Sequence, residues 1–161
     1  MELVDRKTAC LFSVCARLGA LASHSDTHSQ ERLGEYAWNL GMAFQLVDDA
    51  LDYAADQATL GKTVGDDFRE GKITLPVLLA YGAGDAAAQA FWRRTIEASE
   101  QGEADLEHAL DLMARCGAIG TTLARAARFA GAAKAALDVF ADGPWRMALA
   151  RVADYTVSRV R

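Results

Sequence analysis

The chain has 161 residues, the usual size of one domain, and with 52% hydrophobic and 24% charged side chains it can bury a core, which excludes wholesale disorder. Seventeen basic against 22 acidic side chains leave a net charge of −5, the wrong sign for generic attraction to nucleic acid or anionic lipid. Any anionic ligand must be met locally. Three scattered cysteines, Cys10, Cys15 and Cys116, sit in apolar surroundings and read as reduced core residues of a cytoplasmic protein. The start carries Glu2 and Asp5 and lacks the features of a secretory signal, while the Ala-rich stretch 118–137 contains Arg125, Arg128 and Lys134, too many charges for a membrane span.

Pro76 and Pro144 are the only prolines and alternating strand-like runs are scarce, so the expectation is an all-α chain. Residues 3–22 place Val4, Thr8, Leu11, Cys15, Leu18 and Ala22 on one stripe, predicting an amphipathic helix with that stripe inward. Ser23–Ser29 breaks it. Thr27 with Gln30 suits a capping box opening a second helix that runs to about Ala55. Residues 56–71, rich in Gly, Asp and Lys, predict an irregular loop with at most one short turn. Pro76 suits the first turn of a helix ending near Tyr81-Gly82, and Asp85 can cap another running to about Ser99. A helix over 103–116 follows, then Gly117 begins the Ala-rich helix ending near Phe140. Asp142-Gly143-Pro144 is a stop and a start for the last helix, 145–159. Trp38, Trp92, Trp145, Phe91, Phe129 and Phe140 fall at helical positions suited to core packing.

The chemistry concentrates in 41–52. At 100° per residue, Gly41, Gln45, Asp48 and Asp52 fall at about 0, 40, −20 and 20°, a narrow polar line on a helix that is otherwise apolar nearly all round. Such a helix is buried, so its carboxylates must face a wet cavity. Two carboxylates one turn apart repel by roughly 3 kcal/mol at an effective dielectric near 20. Asp49, at about 80° on the same wheel, adds a third negative group. Hard oxygen donors of this kind suit Mg²⁺, which keeps waters and bridges to substrate phosphates. The alternative is a solvated acidic face, or acids paired with arginines of a neighbouring helix.

The loop that follows supplies the opposite charge through Lys62 and Lys72, two of the four lysines, with Gly61, Gly65 and Gly71 beside them. They could close over a phosphate, or be surface lysines in a polar loop. Gly61-Lys62-Thr63 is not a phosphate-binding loop of the Walker type, because the earlier glycine and the preceding strand are missing. His24 and His28 fall in a Ser-rich break with no third metal ligand at suitable spacing and belong to a surface loop.

The pattern Gly-x-x-Phe-Gln-x-x-Asp-Asp-x-x-Asp at 41–52, then Gly-Lys-x-x-Gly-x-Asp at 61–67 and Gly-Lys-x-Thr-x-Pro at 71–76, resembles the trans-polyprenyl diphosphate synthases, especially long-chain (octaprenyl to decaprenyl) members. These stretches are similar to that family's second Asp-rich motif (41–52) and lysine loop (56–76). Lys7-Thr8 resembles the Lys-Thr pair of an upstream helix, and Ala153–Arg159 the C-terminal Tyr and Arg. Of Arg146, Arg151, Arg159 and Arg161, only Arg159 gains from the resemblance.

The resemblance implies an isoprenoid synthase-type helical bundle over 1–161 and a Mg²⁺-dependent condensation of isopentenyl diphosphate with an allylic diphosphate, giving a long-chain precursor of quinone side chains. It assigns Asp48, Asp49 and Asp52 to the metal, Lys7, Lys62 and Lys72 to the diphosphate, and Lys7, Thr8 and Gln45 to the catalytic set. Partners would be the two diphosphates and a second copy, with neither nucleic acid nor a membrane span. The family's first Asp-rich motif and its basic residues for isopentenyl diphosphate have no counterpart here. The expectation is therefore the C-terminal half alone: a fragment, a proteolysed product, or a chain completed by an N-terminal half and inactive by itself. The competing reading is a noncatalytic subunit or interaction partner of a complete synthase.

Overall fold

A computed structural model describes residues 4–54 and 64–159, and among these residues every regular element is helical. The contacts divide the chain into two compact units, Met1–Val47 with Ala124–Arg161, and Asp48–Leu123.

In the first unit a π-helical turn, Asp5–Ala9, leads into α1 (Cys10–Ala22), and α2 (Thr27–Leu51) is the long central element. The opening of α2 differs from the expected Thr27–Gln30 box. Asp26 is the cap: its carboxylate accepts from the Ser29 N–H at 3.0 Å and the Ser29 hydroxyl at 2.7 Å, while the Gln30 side chain donates back to the Ser25 carbonyl. The cap thus sits one residue earlier, because a carboxylate there satisfies both donors of residue 29. Small residues then let helices close in. A Cβ on Gly41 would lie 2.8 Å from the Ala9 Cα, and Ala37, Ala43, Ala130, Ala133, Ala136 and Ala153 line the core with Tyr36, Leu40 and Leu137. The Tyr36 hydroxyl donates to the Leu149 carbonyl at 2.9 Å, and Trp38 packs edge-on to Phe129. The C-terminal part of α7 (Ala118–Ala136), a 3₁₀ turn at Leu137–Val139, and α8 (Pro144–Ser158) complete the unit.

Three expectations fail in this unit. The stripe Leu11, Cys15, Leu18 and Ala22 faces outward, while Ala9, Phe12, Ala16 and Ala20 face the core, because α1 is apolar on both sides and periodicity alone does not say which side is covered. Cys10 and Cys15 are consequently exposed rather than core; Cys116, half-buried, donates to the Met113 carbonyl. Trp145, expected in the core, stands 83% exposed on the first turn of α8.

The second unit holds the end of α2, then α3 (Asp66–Arg69), α4 (Leu75–Ala83), α5 (Ala86–Trp92), a π-helical extension Arg93–Glu97, α6 (Asp105–Arg115) and the start of α7. Its core is aromatic: Phe68, Phe91 and Trp92 meet at centroid distances of 5.2–6.4 Å, over Met113, Val77 and Ile96. Each large side chain of this kind contributes about 1.5–3 kcal/mol by leaving water. The punctuation read from sequence holds here. The Asp85 carboxylate accepts from the Ala88 N–H at 2.9 Å, Pro76 lies in the first turn of α4, and Gly117 turns left-handed between α6 and α7 with φ +63°. Arg94 clamps Asp105 with two hydrogen bonds of 2.8 and 2.9 Å, tying the π-helical extension to α6 and holding the Asp105 carboxyl down at about 2.

No described helix is long and apolar enough to cross a membrane.

Candidate functional site

The acids sit where α2 unwinds. The helix ends at Leu51, earlier than expected, and its carbonyls then accept at shorter spacing: Asp52 N–H still reaches the Asp48 carbonyl at 3.2 Å, but Tyr53 and Ala54 bond only three residues back, to Ala50 and Leu51. Asp52 therefore lies just beyond the helix. The returning chain is clipped to it twice, by Gly65 N–H on its carbonyl at 2.8 Å and by Asp67 N–H on its Oδ2 at 3.0 Å. Gly65 makes that clip possible with φ +82°, in a space where a Cβ would come within 2.3 Å of the Leu106 side chain.

Asp67 then extends the link. Its Oδ1 accepts from Lys72 Nζ at 2.7 Å, and Glu70 accepts from the same ammonium at 2.6 Å. These two carboxylates, Asp67 first, hold the Lys72 ammonium well above its ordinary range. Lys72 is thus an exposed cation tethered by acids of its own loop, a pairing the sequence did not reveal. Burial pushes the Asp52 carboxyl up, and the Asp67 and Asp66 charges push it further.

The three acids of the motif are not equivalent. Asp48 is exposed, Asp49 is buried, and Asp52 is intermediate. The polar line expected to face water is also divided, since Gln45 is buried and Gly41 is packed under Ala9 and Phe12. Among the described residues no three acids, histidines or cysteines converge closely enough to hold a metal unaided. His24 is exposed with φ +55°, and His28 is exposed in the first turn of α2. Lys62 lies outside the described residues.

In the first unit, Thr8 Oγ1 donates to Gln45 Oε1 at 2.8 Å across 37 residues, joining two members of the expected catalytic set. The π-helical turn presents Thr8 to α2 while leaving Lys7 exposed. Arg159 lies over the Phe44 ring, 4.4 Å from its centroid, and donates to the Phe44 carbonyl at 3.4 Å, so the C-terminal end of α8 braces the residue next to Gln45. Sequence reasoning set Gly65 beside the lysines but gave Asp67 no role. Its signal was already present in the Gly-x-Asp of 65–67, but only the structure shows that Asp67 meets both Asp52 and Lys72.

An all-helical chain with paired acids at a helix end, an acidic and lysine-bearing return loop, and a Thr–Gln pair belongs to a known class. The Polyprenyl synthetase family matches residues 1–113, and the chain belongs to that family. It is 42% identical, over all of its length and 50% of the relative's, to octaprenyl diphosphate synthase of Escherichia coli. Among solved structures, a decaprenyl diphosphate synthase from Rhodobacter capsulatus matches with TM-score 0.91 and 42% identity, over 98% of this chain and 49% of that one. A polyprenyl synthase from Caulobacter crescentus, complexed with calcium and isoprenyl diphosphate, matches with TM-score 0.91 and 48% identity, over 99% and 49%. The chain spans about half the length of the relatives it matches.

Proposed function

We propose that this chain is the C-terminal half of a long-chain polyprenyl diphosphate synthase, contributing to the Mg²⁺-dependent transfer of an allylic group onto isopentenyl diphosphate. The observation that carries the proposal is the Asp52–Asp67–Lys72 link at the end of α2, which sets two carboxylates and an ammonium side by side.

The donor set fits a hard divalent ion. Asp48, Asp49 and Asp52 offer only oxygen, and Asp52 is pushed up by burial first and then by the Asp67 and Asp66 charges, which a nearby cation would offset. A closed three-carboxylate cage is not required, because Mg²⁺ is held by one or two carboxylates with waters and substrate phosphates. When bound, the ion supplies positive charge to the diphosphate oxygens. Lys72 and Lys7 would bind the same oxygens, with Lys62 as the third ammonium. For Lys72 this means exchanging Asp67 or Glu70 for phosphate.

In the reaction the allylic C–O bond breaks with its electron pair passing to diphosphate, the isopentenyl double bond attacks the resulting cation, and a proton leaves. Fixed ammonium groups favour the departing diphosphate more than the bound substrate, which is what lowers the barrier. Thr8 and Gln45, oriented by their mutual hydrogen bond, would lie beside the reacting carbons and hold polar oxygens toward the developing cation. Asp48→Ala in the assembled enzyme tests the reading: turnover should fall by orders of magnitude while helical content stays unchanged. Unaltered turnover would remove Asp48 from the metal site.

A second reading is favoured by the half-length match: the chain acts as a noncatalytic subunit or as the completing piece of another chain, either as a homodimer or with an N-terminal half. It expects condensation only after mixing with a polypeptide that carries the complementary half.

A further inference from the structure

On the back of α2, away from its acids, lies a second concavity. Asn39 falls about 160° round the helix from Gly41, whereas Gln45 and Asp48 fall at about 40 and −20°. Between Asn39 and α7 is a groove of about 460 Å³, lined by Asn39, Arg125, Arg128, Phe129 and Ala132, all in the first unit. That volume suits a small molecule. With Arg125 at 0° on α7, Arg128, Phe129 and Ala132 fall at about −60, 40 and −20°, beside the buried flank of Ala126, Ala130 and Ala133 at about 100, 140 and 80°. Phe129 is held in place by Trp38, edge-on with 5.8 Å between centroids. Asn39 is buried and its amide is fixed by donating to the Glu35 carbonyl at 2.9 Å, so the groove has one set polar wall besides the arginines.

The charge in this groove is unmatched. Over its 19 residues α7 carries Arg125, Arg128 and Lys134 and no carboxylate, in a chain of net charge −5. Lys134 is met by Asp154 at 2.6 Å, and Arg32, Arg69, Arg94, Arg115 and Arg146 each hold a carboxylate. Arg125 and Arg128 hold none among the described residues, although they lie one turn apart and repel each other. Glu35, one turn before Asn39, is engaged by Arg32, and Asp5 takes the Trp38 indole N–H at 2.5 Å. Two guanidinium groups with Cβ atoms about 5–6 Å apart match a single phosphoryl group, which accepts from both planar forks. Phe129 and Ala132 beside them call for an apolar body on the same ligand. Duplex nucleic acid does not fit, because two cations in a concavity make too few phosphate contacts.

We infer that Asn39, Arg125, Arg128, Phe129 and Ala132 form a second ligand site, separate from the acids of α2, for a small organic phosphate. Its phosphoryl group lies between the two arginines and its apolar body against Phe129 and Ala132.

The test is a calorimetric titration of phenyl phosphate into the assembled enzyme, with chelator present and divalent metal absent. The expected result is saturable binding at least about tenfold tighter than that of inorganic phosphate or benzyl alcohol, which represent the head and the body alone. Arg125→Ala and Arg128→Ala should each weaken it at least about tenfold, and Ala132→Glu, which sets a carboxylate one turn from Arg128, should abolish it. Arg151→Ala on α8 and Lys72→Ala in the acidic loop should leave it unchanged. All five side chains are exposed, and circular dichroism of each variant should match the parent. Phenylglyoxal modification followed by mass spectrometry is an independent readout: phenyl phosphate should slow the reaction of Arg125 and Arg128 and not that of Arg151. Equal affinity for inorganic phosphate, binding lost in Lys72→Ala but kept in both arginine variants, or no saturable binding would each overturn the inference. Arginines shielded from phenylglyoxal in the assembled enzyme without ligand would also overturn it, since the groove would then be covered by protein. No turnover enters the assay, so failure here leaves the reading of the α2 acids untouched.

Discussion

Gly65→Ala should reveal how tightly the acid cluster is held in place. Gly65 has φ +82°, a conformation that costs an L-residue about 1–2 kcal/mol, and an added Cβ would lie 2.3 Å from Leu106 Cδ1 and 3.0 Å from Cδ2. Gly71 is the internal control. It has φ +67°, but its added Cβ would meet nothing nearer than the Ile96 carbonyl at 3.5 Å, an ordinary contact. Lower chain entropy in the unfolded state returns about 0.4–1 kcal/mol to both substitutions. Gly71→Ala should therefore cost from about 0 to about 1.6 kcal/mol. Gly65→Ala should cost about 1–2 kcal/mol more, in the lower part of the usual overpacking range because Leu106 can swing its end aside. Urea unfolding followed at constant m would measure both, and Leu106→Ala closes a double-mutant cycle. The cycle should return a coupling of about 1 kcal/mol or more, with Gly65→Ala milder in the Leu106→Ala background. Equal costs for the two glycine substitutions, or zero coupling, would refute the steric account.

Trp92→Ala empties the centre of the aromatic core, where the indole is 2% exposed, and should cost about 3–5 kcal/mol by thermal or urea unfolding. The Arg94–Asp105 clamp lowers the Asp105 carboxyl from 3.8 to about 2, so its stabilisation is present above pH about 4 and lost as pH falls through about 2. Arg94→Ala should lower the urea midpoint near neutrality and make no difference in strong acid. Magnesium with inorganic diphosphate should raise the melting temperature by about 5–10 °C at a hundredfold excess over its dissociation constant, and Asp48→Asn should abolish the rise. An unchanged melting temperature would mark the acidic line as structural.

Local chemistry was legible in the sequence where a residue acts on its own backbone. Asp85, Pro76, Gly117 and Pro144 cap, start or stop helices through their own hydrogen bonds and torsions, and the structure places them accordingly. The Thr8 and Gln45 that the family pattern singled out do meet. What was not legible depends on which surface is covered. In α1 both faces are apolar, so the 3.6-residue period is satisfied equally by the wrong stripe, and Trp145 follows a similar logic on α8. The sequence leaves Lys72 open as a phosphate ligand or a surface lysine, and its acids, Asp67 and Glu70, come into reach only through the turn that Gly71 allows with φ +67°.

The π-helical turn at Asp5–Ala9 sets a rule for splicing this chain to its relatives. A turn of that type holds one more residue than the α-helix around it, so deleting a single residue between 5 and 9 would let it close into ordinary winding and shift Thr8 from its place opposite Gln45. Chimaeras that trade residues 5–9 must therefore match residue count through Lys7 and Thr8 before they match identity, since a gap of one there would break the hydrogen bond from Thr8 to Gln45.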